Sequence, residues 1–117
     1  METDAALSAF GALSQVTRLE AFRLLVKHEP DGLAAGDLAR LLSVPQNTLS
    51  SHLNVLARAN LVTSERQGRS IIYRVQLGRL ETLLLFLLRD CCNGRPDIRA
   101  QVLATIMRQL PMKVRSR

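Results

Sequence analysis

Tryptophan is absent from this 117-residue chain, and one tyrosine and three phenylalanines bring the aromatic share to only 3%. A core therefore has to be assembled from Leu, Val, Ile and Ala, which supply most of a 47% hydrophobic complement and favour helices. Cysteine is nearly as scarce. Cys91 and Cys92 are the only two and are adjacent, so they cannot frame a small secreted fold, and in a reducing cytosol they are expected as free thiols. Long apolar runs are missing as well: the most apolar stretch is Leu83 to Leu88, far below the roughly 20 residues that cross a bilayer, which excludes membrane spanning. The start of the chain carries Glu2 and Asp4 and lacks a positive segment followed by an apolar one, so no secretory signal is read and a cytoplasmic location is expected. Internal repeats and low-complexity segments are likewise absent. The length is that of one domain, and residues 1–117 are read as such.

Charge is present in excess of one sign. Sixteen Lys and Arg against ten Asp and Glu give a net +6, which points to an anionic partner such as nucleic acid or an acidic surface without choosing between them. The excess is unevenly placed: residues 1–60 carry a net −1 and residues 61–117 a net +7.

Hydrophobic periodicity predicts a mainly α chain with one β-hairpin. Leu7, Phe10 and Leu13 form the stripe of a first helix over Asp4 to Leu13. Thr17-Arg18-Leu19-Glu20 has capping-box spacing and opens a second helix whose face is Leu19, Phe22 and Val26, ending before Pro30-Asp31-Gly32. Leu38, Leu41 and Leu42 mark a third helix from about Ala35, and a short break at Ser43-Val44 leads to Pro45, suited to the first position of a fourth. That helix runs to about Ala59, burying Leu49, Leu53 and Leu56 and turning Gln46, Asn47, Ser50, Ser51 and Asn54 outward. The period then changes to two. Val62 to Arg66 and Ile71 to Val75 flank a Gln67-Gly68-Arg69 turn. Helical spacing returns in Leu80, Leu83, Leu84, Leu87 and Leu88, with a stop at Asn93-Gly94 after the cysteines. Pro96-Asp97 opens a last helix carrying Ile98, Val102, Ile106 and Leu110 ahead of a basic tail.

Two helices joined by a tight turn and followed by a basic-tipped hairpin make a winged helix-turn-helix, in which the second helix enters the DNA major groove and the wing meets the backbone. Gln46, Asn47, Thr48, Ser50, Ser51 and His52 can all exchange hydrogen bonds with base edges, and Gln or Asn can pair bidentately with adenine. Arg66 and Arg69 supply wing charge. Between Arg40 and Arg58 there is no cation, so phosphate contacts fall to the wing, helix ends and hydroxyls. A polar stripe alone is equally the solvated face of an amphipathic helix; the turn, the Pro, the hairpin and the basic excess agree independently on DNA. A winged helix used as a protein-binding module is the alternative, and it would show no salt-dependent DNA affinity.

Ser14-Gln15-Val16-Thr17-Arg18-Leu19, the segment Pro45-Gln46-Asn47-Thr48-Leu49-Ser50-Ser51-His52-Leu53-Asn54-Val55-Leu56, and Gly68-Arg69 followed by Tyr73-Arg74-Val75 closely resemble the ArsR/SmtB family of metal- and metalloid-responsive bacterial repressors. The resemblance spans nearly the whole chain. It implies a homodimer joined through the first and fifth helices, here through Leu7, Phe10, Leu80, Leu83, Leu84 and Leu87, that binds a palindromic operator and releases it on binding an inducer. Apolar residues in that number exceed what one small winged domain hides. The family often carries a second His where this chain has Ser51.

Cys91 and Cys92 are the only soft ligands, and the four locally gathered Cys or His of a tetrahedral zinc site are missing, which argues against zinc. The Cys-Val-Cys motif that arsenic sensors of the founding type carry at the third helix is replaced by Ala34-Ala35-Gly36. What remains, Cys91-Cys92-Asn93-Gly94-Arg95-Pro96-Asp97, resembles a branch with a Cys-Cys arsenic site after the fifth helix, though without the third cysteine that often follows there. Two thiolates suit an organoarsenical, which keeps one bond to carbon; arsenite would need a third ligand from water, a small thiol or the partner subunit. The bland reading, two small residues filling a helix end, remains open. So does redox sensing, ranked second because adjacent Cα atoms about 3.8 Å apart fall short of the roughly 4.4 to 6.8 Å of an ordinary disulfide. Phosphatase chemistry fails, since the sixth positions after the two cysteines are Asp97 and Ile98 rather than Arg. No paired base and nucleophile points to an enzyme, and no resident cofactor is expected, only a trivalent arsenical as inducer.

Overall fold

A computed structural model describes residues 1–92 and 95–110. Asn93-Gly94 and the basic tail beyond Leu110 lie outside the described residues. The elements are α1 (Thr3–Leu13), α2 (Val16–Lys27), β1 (Leu33–Ala34), α3 (Ala35–Leu42), α4 (Gln46–Arg58), β2 (Val62–Gln67), β3 (Ser70–Val75), α5 (Leu77–Leu85), a π-helical turn (Phe86–Asp90) and α6 (Pro96–Gln109). Packing divides the chain into two units, Met1–Leu83 and Leu84–Arg117, where the sequence reads as one domain. The physical reason is burial: from Leu84 onward no described residue is buried.

The core of the first unit is leucine, as the lack of aromatics requires: Leu25, Leu38, Leu49, Leu53, Leu56 and Leu61 are its largest fully buried side chains. Leu49, Leu53 and Leu56 are the expected stripe of α4. In α1 the buried face is Ala6, Ala9 and Ala12, while Leu7 faces outward. Small residues let neighbouring helices approach closely, so alanine does the burying and the larger side chains are left on the other side. In α2 the buried residues are Ala21, Phe22 and Leu25, and Leu19 and Val26 are exposed. The cap is also shifted: Gln15, not Thr17, sits at the N-cap, and its side chain accepts from the Arg18 N–H at 2.8 Å.

The helix-turn-helix corner is built by backbone bonds. Ser43 takes a left-handed φ of 56°, and Ser43 N–H and Val44 N–H return to the carbonyls of Arg40 and Ala39 at 3.2 and 3.1 Å, a Schellman ending for α3. Pro45 then occupies the N-cap position of α4, one position earlier than expected. The same ending closes α4: Asn60 has φ 62°, and Asn60 and Leu61 donate to Ala57 and Leu56, each at 3.0 Å.

Three antiparallel strands in the order β1-β3-β2 form the sheet. Strands β2 and β3 pair from Val62↔Val75 to Gln67↔Ser70, leaving a two-residue tip whose first residue, Gly68, has φ +63°, the position where a tight hairpin turn favours glycine. β1 was not legible in the sequence; it pairs Leu33 with Tyr73 and Ala34 with Ile72. Its approach demands Gly32, with φ +78°, since a Cβ there would collide with the Tyr73 carbonyl.

Candidate DNA-binding face and thiol pair

With Leu49, Leu53 and Leu56 buried, the helical period leaves Gln46, Asn47, Thr48, Ser50, Ser51 and Asn54 exposed on the other side of α4. Five of the six residues expected to read DNA therefore share open surface. Ser50 Oγ donates to the Gln46 carbonyl at 3.0 Å, and Asn47 Oδ1 accepts from the Thr48 N–H at 3.0 Å. No side chain caps the helix from the N-cap and no acidic residue occupies its first turn, so the partial positive charge of that end is left unneutralised. The sixth, His52, is half-buried, and its Nδ1 lies 3.3 Å from a guanidinium nitrogen of Arg18 on α2.

A groove of about 580 Å³ opens where the start of α3, the start of α4 and the wing converge. It is lined by Gln46 and Ser50 of α4, by Arg69, Ser70, Ile71 and Tyr73 of the wing, and by Ala34 to Asp37 and Arg40. Arg40 faces this groove in an exposed ion pair with Asp37. In the sequence Arg40 marks only the edge of a cation-free stretch; its position one turn before the helix-turn-helix corner is the signal that places it here. Tyr73 and Ser70 also line it, which a strand pattern alone does not reveal because it does not show which face meets the groove.

The wing cations have different jobs. Arg66 and Arg69 are exposed and make no hydrogen bond or ion pair among the described residues. Arg74 is engaged: it donates to the Glu65 carboxylate at 2.6 Å and to the Pro30 carbonyl at 3.2 Å, tying the hairpin to the loop after α2. The Arg74 hydrogen bond, aided by Gln67, holds the Glu65 carboxyl below the usual carboxylate range.

The expected dimer residues divide by burial. Leu7 is 61% exposed, Leu84 51% and Leu87 38%, whereas Phe10 and Leu80 are half-buried. Leu83 is a correction: at 3% exposure it belongs to the core of its own unit and is not available to a partner. It falls on the inner side of α5 because the stripe Leu80, Leu83, Leu84 and Leu87 is wider than one face.

Cys91 and Cys92 are free thiols, the first exposed and the second half-buried. They follow directly on the π-helical turn, whose wide bonding continues to Cys91, with its N–H on the Phe86 carbonyl at 3.2 Å. Turns of this kind recur at functional sites. Beyond the pair, Arg95 donates its N–H to the Cys92 carbonyl at 3.1 Å, and its guanidinium grips Asp97 at 3.2 and 3.0 Å. That hydrogen bond holds the Asp97 carboxyl below its ordinary value. Among the described residues, no three His, Cys, Asp or Glu side chains are gathered to hold a metal ion. Nor is any helix among them long and apolar enough to cross a membrane.

Residues 13–65 match a sequence family described as a helix-turn-helix domain. The transcriptional repressor SdpR of Bacillus subtilis is 28% identical over 91 residues, 78% of this chain and 98% of that protein. An ArsR-like transcriptional regulator from Rhodococcus sp. RHA1 superposes with a TM-score of 0.65 at 30% identity, covering 88% of this chain and 92% of that one. AntR, described as an antimony-specific transcriptional repressor, superposes with a TM-score of 0.56 at 29% identity over 69% of this chain and 72% of its own.

Proposed function

Since the chain belongs to the ArsR/SmtB family of winged helix-turn-helix transcriptional repressors, we propose that it binds operator DNA as a homodimer in the cytoplasm and releases it when Cys91 and Cys92 capture a trivalent arsenical. The observation that carries the DNA reading is the groove lined together by Gln46 and Ser50, Arg69 and Arg40. Side chains that can pair with base edges lie beside cations that can hold phosphate, and the two jobs are needed together.

The inducer reading is supported by two adjacent free thiols at a helix end that has already left α-helical geometry. In an ideal helix neighbouring side chains diverge by about 100°, so two sulfurs close on one atom only where the helix is distorted. A methylarsenical needs two thiolates, and the chain offers two. Antimony, which names the specificity of AntR, shares arsenic's trivalent, thiol-seeking chemistry. Metalloid capture would draw the end of the helical run that starts at Leu77 into a new shape and favour the DNA-free state. The coupling must be reciprocal, so operator DNA weakens arsenical binding by the same factor.

The test is a DNA-binding titration with methylarsenite, arsenite and zinc, on wild-type protein and on Cys91→Ser and Cys92→Ser variants. Release by methylarsenite at least as readily as by arsenite, lost in either variant while DNA binding is retained, is the expected result. Release that persists in the double variant, or that only zinc produces, overturns the assignment of this pair as the sensor.

A further inference from the structure

The corner between α1 and α2 sends one side chain to the reading helix. Arg18, in the first turn of α2, folds its guanidinium back over the end of α1. There Nε donates to the Ala12 carbonyl at 2.7 Å and Nη2 to the Gly11 carbonyl at 3.5 Å, while Nη1 lies 3.3 Å from His52 Nδ1 on α4. The Gln15 side chain fixes the Arg18 backbone N–H, so the base of the side chain is held as well as its tip. The last carbonyls of α1 carry partial negative charge, and α1 has no basic residue of its own in its last turn. Arg18 supplies that cation from the next helix.

A guanidinium stays charged and only donates. His52 Nδ1 must therefore accept, which sets the ring as the neutral tautomer with its proton on Nε2. One planar fork thus joins the end of α1 to the middle of α4.

We propose that Arg18 is a positioning residue for DNA recognition: through His52 it clamps α4 to the C-terminal carbonyls of α1, so that the reading helix and α1 move as one body. The proposal rests on the DNA-binding reading above and adds a residue that lies off the exposed stripe. Burial of Leu49, Leu53 and Leu56 keeps α4 folded and seated without the clamp, but apolar packing is non-directional. The clamp's loss therefore shows in the roll of the helix, and so in base discrimination, before it shows in folding. Because α1 carries the exposed Leu7 on its outer side, a displacement of α1 by association with another copy would be passed to α4.

The experiment begins with wild-type protein, without any variant. Nitrogen-15 spectra of the two histidines, assigned with His28→Gln, should show His52 with an unprotonated Nδ1 and a protonated Nε2; the opposite tautomer overturns the clamp. Binding is then compared on a duplex selected from a random library by wild-type protein and on its scrambled counterpart. Arg18→Gln and His52→Leu should each lower the ratio of the two affinities about tenfold, the worth of one charge-assisted hydrogen bond, and the double variant should lower it no further. His52→Asn keeps an acceptor where Nδ1 stands and should retain the wild-type ratio. Equal losses on both duplexes would make Arg18 an ordinary phosphate contact and overturn the proposal, as would additive losses in the double variant. Failure of the DNA reading itself shows separately, as wild-type protein that selects no duplex from the library.

Discussion

Arg74 of β3 reaches across the hairpin to Glu65 of β2 at 2.6 Å, and the same guanidinium holds the Pro30 carbonyl outside the sheet at 3.2 Å. The wing is therefore anchored at its base by one arginine while two others, Arg66 and Arg69, are left for a partner. Charge count alone gives no hint of this division.

Lowering the pH should loosen the wing. The Glu65 carboxyl is depressed from its ordinary 4.5 by the Arg74 hydrogen bond. A depressed carboxylate contributes its stabilisation above the unfolded value and loses it as pH falls through the lower folded value. Hydrogen exchange at the β2 and β3 amides should show protection falling in that window in wild-type protein. Glu65→Gln should start with weaker protection and remain flat through it; an equal drop in both proteins would assign the effect elsewhere.

The two sides of α4 should respond oppositely to truncation. Leu53 is fully buried, so Leu53→Ala should destabilise the first unit by about 2 to 5 kcal/mol in urea unfolding. Ser51 is exposed, and Ser51→Ala should stay within about 0.5 kcal/mol of wild type. A large stability loss at Ser51 would show that this side is not free for a ligand.

Much of this architecture is legible in the sequence, and the exceptions have physical causes. The leucines of α4 stand among mostly polar residues and announce their face without help. In α1 the buried Ala6, Ala9 and Ala12 are outweighed on any hydrophobic count by Leu7 and Phe10, because close packing rewards smallness that such a count penalises. The pair Leu33-Ala34 is too short to show a period of two, and only its pairing with β3 makes it a strand. For the site, the residue types on α4 are enough to place Gln46, Asn47, Thr48, Ser50 and Ser51 on its open surface. His52 has the same chemistry but points toward Arg18, and Arg40 enters the groove through the crossing of α3 and α4, which no local pattern encodes.

Base readers and phosphate holders should separate on DNA. Gln46→Ala or Ser50→Ala should cost about 1 to 3 kcal/mol on the preferred duplex and relax the preference at one position. Arg69→Ala or Arg40→Ala should weaken every sequence alike and lower the salt slope by about one each. If all four variants lost affinity equally on specific and random duplexes, Gln46 and Ser50 would be phosphate contacts too.

Two neighbouring leucines should behave as opposites when each is made acidic. Leu83 is 3% exposed, and a glutamate there would bury an unpaired charge, which a small leucine core cannot accommodate. Leu83→Glu should lose the cooperative unfolding transition of the first unit. Leu84 is 51% exposed, so Leu84→Glu removes nothing from the chain's own core and should leave the helical signal near wild type and the unfolding cooperative. An exposed run of large apolar residues that includes Leu84, Leu85 and Leu87 is the kind of surface that a partner covers, and a charge placed within it has to be desolvated on association. Sedimentation should therefore show wild-type protein as a dimer and Leu84→Glu shifted to monomer, with operator affinity falling as the second half-site contact is lost. A Leu84→Glu protein that remained a dimer with unchanged association would remove this surface from the interface.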